Sequence, residues 1–121
     1  RPGGPELWFG GSTLHAAVVR RLVTYGHGFN PLGRPAPGEL EKLCAAMAEA
    51  GRDMADLEMI GGTRAVFPDA ASVASLERAL EAVPEQMEQG FTTFCIKPSQ
   101  FTDDPDGVGG FCREVMRRVE P

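Results

Sequence analysis

The sequence predicts an α/β fold built on a parallel sheet, and three observations carry that prediction. Short apolar runs stopped by glycine or proline recur along the chain, and stretches with apolar residues at helical spacing follow them. The first of these runs is continuous rather than alternating, which suits a strand covered on both faces. The 121 residues suffice for four such strand-then-helix units and for one domain.

The first strand is Leu7-Trp8-Phe9, ended by Gly10-Gly11. Ser12 offers a side-chain oxygen as N-cap of the helix that follows, in which Leu14, Val18 and Leu22, with Ala17 between them, form one apolar stripe. The second strand lies near Gly26-His27-Gly28-Phe29-Asn30 and ends at Pro31, and a loop rich in Pro and Gly runs from Leu32 to Gly38. Pro37 opens the second helix, Leu40, Leu43, Cys44 and Met47 repeat along it, and Gly51 and Arg52 close it as C-cap glycine and dipole-compatible cation.

The third strand is expected over 57–67, interrupted by Gly61 and Gly62. Pro68-Asp69 is expected to start a third helix whose buried face is Val73, Leu76, Leu80, Val83 and Met87. Pro84 should kink or split it, and Gly90 ends it. Phe91 to Ile96 is the fourth strand. After an acidic turn, Asp103 to Gly107, the last helix carries the stripe Val108, Phe111, Cys112, Val115, Met116 and Val119. Four βα units with right-handed crossovers fit either half of a (β/α)8 barrel or a small doubly wound sheet, and the residues alone leave both open.

Composition narrows the function classes. Hydrophobic residues make up 42% and charged residues 24%, the balance of a globular chain. With a net charge of −5, and with Arg20/Arg21 and Arg117/Arg118 as the only adjacent basic pairs, nucleic acid and anionic membrane are not expected partners. No apolar stretch is long enough to span a bilayer, and no signal peptide is legible, so a cytoplasmic location is expected. Cys44, Cys95 and Cys112 are expected to be buried reduced thiols, with no metal and no disulfide. The start at Arg1-Pro2-Gly3-Gly4-Pro5 reads as the middle of a longer polypeptide, a processed end or a trimmed one.

Pro5 to Thr13 is the segment with chemistry. A strand delivers Gly10, Gly11, Ser12 and Thr13 to a helix N-terminus. Backbone N–H groups there lack intrahelical acceptors, the dipole favours an anion, and glycine lets the main chain approach a phosphate. A phosphate cradle at the C-terminal end of a parallel strand is one reading. A plain strand-to-helix turn with Ser12 as N-cap is the other.

Pro5-x-Leu7-Trp8-Phe9-Gly10-Gly11-Ser12 followed by Ala16-Ala17 resembles the fifth strand and helix of luciferase-like flavin-dependent monooxygenases. Tyr25 to Pro31 looks like that family's next strand, with His27 where Asp is usual. Ala50-Gly51-Arg52-Asp53 and Leu57-Glu58-Met59-Ile60 are similar to its next helix end and strand. The resemblance covers nearly the whole chain and the second half of the family's length. It implies the C-terminal half of a (β/α)8 TIM barrel over 1–121 and an oxidoreductase. Gly10, Gly11, Ser12 and Thr13 would grip the terminal phosphate of FMN or of a deazaflavin coenzyme. The half that lines the flavin ring has no counterpart here, so no catalytic residue is assigned and the chain alone is expected to be inactive. The alternative is a non-catalytic α/β module that binds a phosphorylated ligand or a protein partner. Either way the open sheet edges predict a homo-oligomer or pairing with a missing N-terminal half.

Other residues are weaker candidates. His15 is placed to add charge to a phosphate or to be merely exposed. Lys97 ends the fourth strand and faces either the sheet's mouth or solvent. Arg64, in the expected third strand, needs a carboxylate or a ligand. The acidic turn lacks the spacing of a calcium loop, and Gly26-x-Gly28 followed by Pro31 fails the dinucleotide fingerprint.

Overall fold

The computed structural model describes residues 3–33 and 35–120. Arg1, Pro2, Arg34 and Pro121 lie outside the described residues, so the very start of the chain and one position of the 32–38 loop do too. Strands and helices alternate as β1 (Trp8–Gly11), α1 (Ala16–Tyr25), β2 (Gly28–Pro31), α2 (Glu39–Glu49), β3 (Glu58–Gly62), α3 (Leu76–Leu80), α4 (Val83–Glu88), β4 (Thr93–Cys95) and α5 (Val108–Val119). The strands form one four-stranded parallel sheet in the order β1-β2-β3-β4. The expected α/β class with a parallel sheet is therefore what the chain adopts, and β1 and β4 are the sheet's two edges.

Two compact units divide the chain: residues up to Gly61 with Gly90–Thr93, and Gly62–Gln89 with the chain from Phe94 onward. In the first unit Val18 and Leu22 of α1 are buried as their spacing requires, and Leu14, expected on the same stripe, is buried ahead of the helix. Leu43 and Met47 of α2, Phe29 of β2, and Met59 and Ile60 of β3 are buried too. Helix α2 starts at Gly38, whose φ of 84° suits glycine, and Glu39 and Glu41 place negative charge in its first turn. It closes with a left-handed Gly51, whose N–H donates to Ala48 while the Arg52 N–H reaches back to Met47.

The end of α1 departs from expectation. The Arg52 side chain does not serve its own helix. Its guanidinium donates to the carbonyls of Leu22, Val23 and Gly26 at 3.1, 2.9 and 2.9 Å. The Val23 carbonyl is one that the last turn of α1 would otherwise leave unmatched, whereas the Leu22 carbonyl also accepts from the Gly26 N–H at 2.8 Å. At Gly26, a Cβ would lie 2.6 Å from the Leu22 oxygen, so only glycine fits the turn into β2.

Strand β3 ends at Gly62, short of the expected Phe67. The bonds that would extend it go elsewhere: the Thr63 N–H to Cys95, the Ser75 N–H to Val66, and the Ala74 N–H to Gln100. Pro68-Asp69 starts a turn and not a helix, because the Asp69 carboxylate accepts from the Ala71 N–H and the Ser72 hydroxyl, both at 2.8 Å. The helix begins later, at a Ser75 cap, and is split as expected: Pro84 enters near the start of α4 rather than continuing α3.

The second unit has a small core of Ala74, Ala79 and Phe101, against which Ala65, Leu76, Ile96 and Phe111 pack. The rings of Phe101 and Phe111 stack at 5.2 Å. None of α5 is buried, and Met116 and Val119 on its apolar stripe are about half exposed. The three cysteines are free and exposed, against the expectation of burial. Cys44 follows the buried Leu43 and is turned about 100° around α2 from it, Cys95 ends an edge strand, and Cys112 rides on a helix with no buried residue. No helix among the described residues is long and apolar enough to cross a membrane.

Candidate functional site

The candidate site lies where β1 gives way to α1. Gly10 and Gly11 close β1 in parallel register with Asn30 and Pro31, and the Leu32 N–H donates to the Gly11 carbonyl at 3.1 Å. The two glycines face opposite sides of the sheet, as successive strand residues do. A Cβ on Gly11 would meet Val18 of α1 at 3.9 Å, and one on Gly10 would meet the Asn30 carbonyl at 3.2 Å. Gly11 therefore points at the helix layer, and Gly10 at the opposite face of the sheet.

Ser12 and Thr13 follow, both exposed. Ser12 is not the N-cap. The cap position is His15, with extended backbone and no side-chain cap bond, so the chain runs extended from the sheet before it turns helical at Ala16. Burial of Leu14 and its N–H bond to a distant carboxylate hold that segment out of the helix. The hydroxyls and N–H groups of Ser12 and Thr13, like the N–H groups of Ala16 and Ala17, meet no acceptor among the described residues. They form a run of donors at the positive end of α1.

One donor in that run is taken. The Leu14 N–H donates to Glu39 Oε1 at 3.0 Å, and the Ala36 N–H donates to Oε2 of the same carboxylate at 2.9 Å. Glu39 thereby ties the loop after β2 to the loop after β1. The two N–H groups, that of Leu14 foremost, hold its carboxyl below the usual range for glutamate. Sequence reasoning missed Glu39. A carboxylate in the first turn of a helix was legible, but a bond spanning 25 residues was not.

The remaining candidates are placed as follows. His15 is exposed beside the donor run. His27 lies just ahead of β2, at the opposite end of the strands, where its Nδ1 accepts from the Leu7 N–H at 3.1 Å. An Asp carboxylate can fill that acceptor role. Arg64 is exposed and lies beyond the end of β3, not within it, so it needs no buried partner. Lys97, also exposed, precedes a short 3-10 turn, and both it and Arg64 belong to the second unit. The acidic turn is a turn and cap, with Asp104 accepting from the Asp106 N–H, and no metal-binding cluster occurs among the described residues.

No protein-family model, curated protein or solved structure matches the chain.

Proposed function

We propose that the chain is the C-terminal half of a luciferase-like (β/α)8 barrel, in which Gly10, Gly11, Ser12 and Thr13 hold the terminal phosphate of FMN, with a deazaflavin coenzyme as the alternative. The observation that supports this reading is the set of donors on Ser12, Thr13, Ala16 and Ala17 that meet no acceptor among the described residues, at the C-terminal end of β1. Parallel α/β proteins bind ligands at that end, and a phosphate supplies the acceptors these donors lack. The donor set fits the group: two hydroxyls, backbone N–H groups and a helix terminus, with Gly10 and Gly11 keeping the approach slim.

Bound flavin would supply the redox chemistry of an oxidoreductase. This chain's share is to fix the phosphate and, through the exposed Trp8 and Gly10 on the sheet face opposite α1, to wall one side of the site. No residue of the chain is assigned acid, base or nucleophile. Titration of the complete protein with FMN and with riboflavin, which lacks the phosphate, tests the reading. FMN is expected to bind at least about tenfold more tightly, the equivalent of one charge-assisted hydrogen bond. Equal affinities would remove the cradle.

A further inference from the structure

We infer that α5 docks on α4 of a second copy of this chain, and α4 on that copy's α5. The contact is apolar, Met116 and Val119 against Met87, and is rimmed by Arg113 on one side and Glu88 on the other. The inference stands apart from the phosphate cradle and uses surfaces other than the sheet edges.

Three observations carry it. Each helix presents an exposed apolar strip. Met87 of α4 is 60% exposed, and Met116 and Val119 of α5 are 54% and 51% exposed. On α5, Met116 lies one turn from the exposed Cys112 and three residues from Val119, so the strip runs along the helix. On α4, Met87 lies one turn from the exposed Pro84. Methionine side chains are flexible enough to fit one another across such a contact.

The two strips also carry opposite charge. Helix α5 holds three arginines and one glutamate, whereas residues 76–88 hold four glutamates and one arginine. The glutamate of α5, Glu114, is committed to Arg117 and Arg118 of its own helix. Arg113, one turn from Met116, is exposed and meets no partner among the described residues, and the same holds for Glu81 and Glu88. Rims of opposite sign around an apolar contact steer the encounter and fix its register.

Finally, both strips belong to one compact unit, Gly62–Gln89 with the chain from Phe94 onward. A two-fold axis therefore covers both strips of both copies at once, as a self-complementary interface requires. A different acidic partner would cover α5 and leave the acidic strip of α4 unmatched, which favours a second copy.

The test is sedimentation equilibrium of the 121-residue chain as wild type, as Arg113→Glu, as Glu88→Arg, and as an equimolar mixture of the two variants. Each charge reversal occurs twice in the dimer and is expected to weaken self-association at least about tenfold at low salt. In the mixed dimer one contact carries the native pair and the other the same pair with its signs exchanged, so association is expected to return to wild-type strength. Unchanged association of either variant, the result that edge pairing alone would give, overturns the inference. So does a mixture that stays as weak as its components, or a wild-type chain that is monomeric at micromolar concentration. Circular dichroism checks that the variants are folded, and the wild type supplies a reading that needs no variant: its association should weaken as salt rises. Association that is indifferent to salt overturns the inference as well.

Discussion

Arg52 caps a helix to which it does not belong: its Nη2 lies 2.9 Å from the Gly26 carbonyl, and its Nη1 bonds Leu22 and Val23. One cation thus closes the positive-to-negative run of α1 and fixes the turn into β2, so the end of α2 and the end of α1 are positioned together. Replacing Arg52 with Met keeps the aliphatic stem and removes these three hydrogen bonds. It is expected to cost about 1.5–3 kcal/mol, the range for hydrogen bonds to a charged group. Arg52→Lys should recover only part of this, because an ammonium cannot match the fork. Urea unfolding of the three proteins checks both statements.

Gly26 makes the same corner a packing constraint. A Cβ there would sit 2.6 Å from the Leu22 oxygen, and that atom is backbone inside a helix with no freedom to yield. Gly26→Ala is expected to destabilise by about 1–3 kcal/mol, the usual cost of overpacking. Gly51→Ala, at a φ of 70° with open space around it, should cost about 1 kcal/mol from strain alone. The ranking of the two urea midpoints is the readout.

Much of this fold was legible. Val18 and Leu22 recur at helical spacing and are buried, Leu43 and Met47 likewise, and Pro84 divides α3 from α4 as its missing N–H requires. What was not legible rests on distant partners. Residues 63–75 hold apolar and β-branched side chains, yet their backbone bonds go to Cys95 and Gln100, and no local pattern announces that. At the candidate site, Ser12 lost the expected cap position because Leu14 is held by Glu39 from another loop, a partner no local pattern announces.

Stability should depend on pH through Glu39. Its folded-state carboxyl is held below its ordinary range by the Leu14 and Ala36 N–H groups. In the window between the two values the unfolded chain binds more protons. The contribution is therefore complete above the ordinary carboxylate range and is lost as the pH falls towards the folded value. Urea midpoints measured from neutral pH downward should fall more steeply in the wild type than in Glu39→Gln below the usual carboxylate range. Parallel curves would mean that the carboxylate is not held in this way.

The open sheet predicts assembly. Strands β1 and β4 are edges, Leu7 and Trp8 are about half exposed at the first of them, and so are Met116 and Val119 of α5. Unpaired edges recruit strands and exposed apolar patches seek cover, so the chain on its own is expected to self-associate at micromolar concentration. Sedimentation equilibrium over a range of concentrations decides this. A monomer that binds no hydrophobic dye would point to a closed small α/β domain and against the half-barrel.

The central claim is that Ser12 and Thr13 bind a flavin through its phosphate. Its most direct test is the FMN-to-riboflavin affinity ratio, measured by isothermal titration of the complete protein in wild type and in the doubly substituted Ser12→Ala, Thr13→Ala. Both side chains are exposed and have no partner among the described residues, so the fold should survive their loss. The account predicts that the substitutions weaken FMN by about tenfold or more, leave riboflavin unchanged, and so collapse the ratio. A ratio that stays the same in both proteins, whether large or near one, would contradict it.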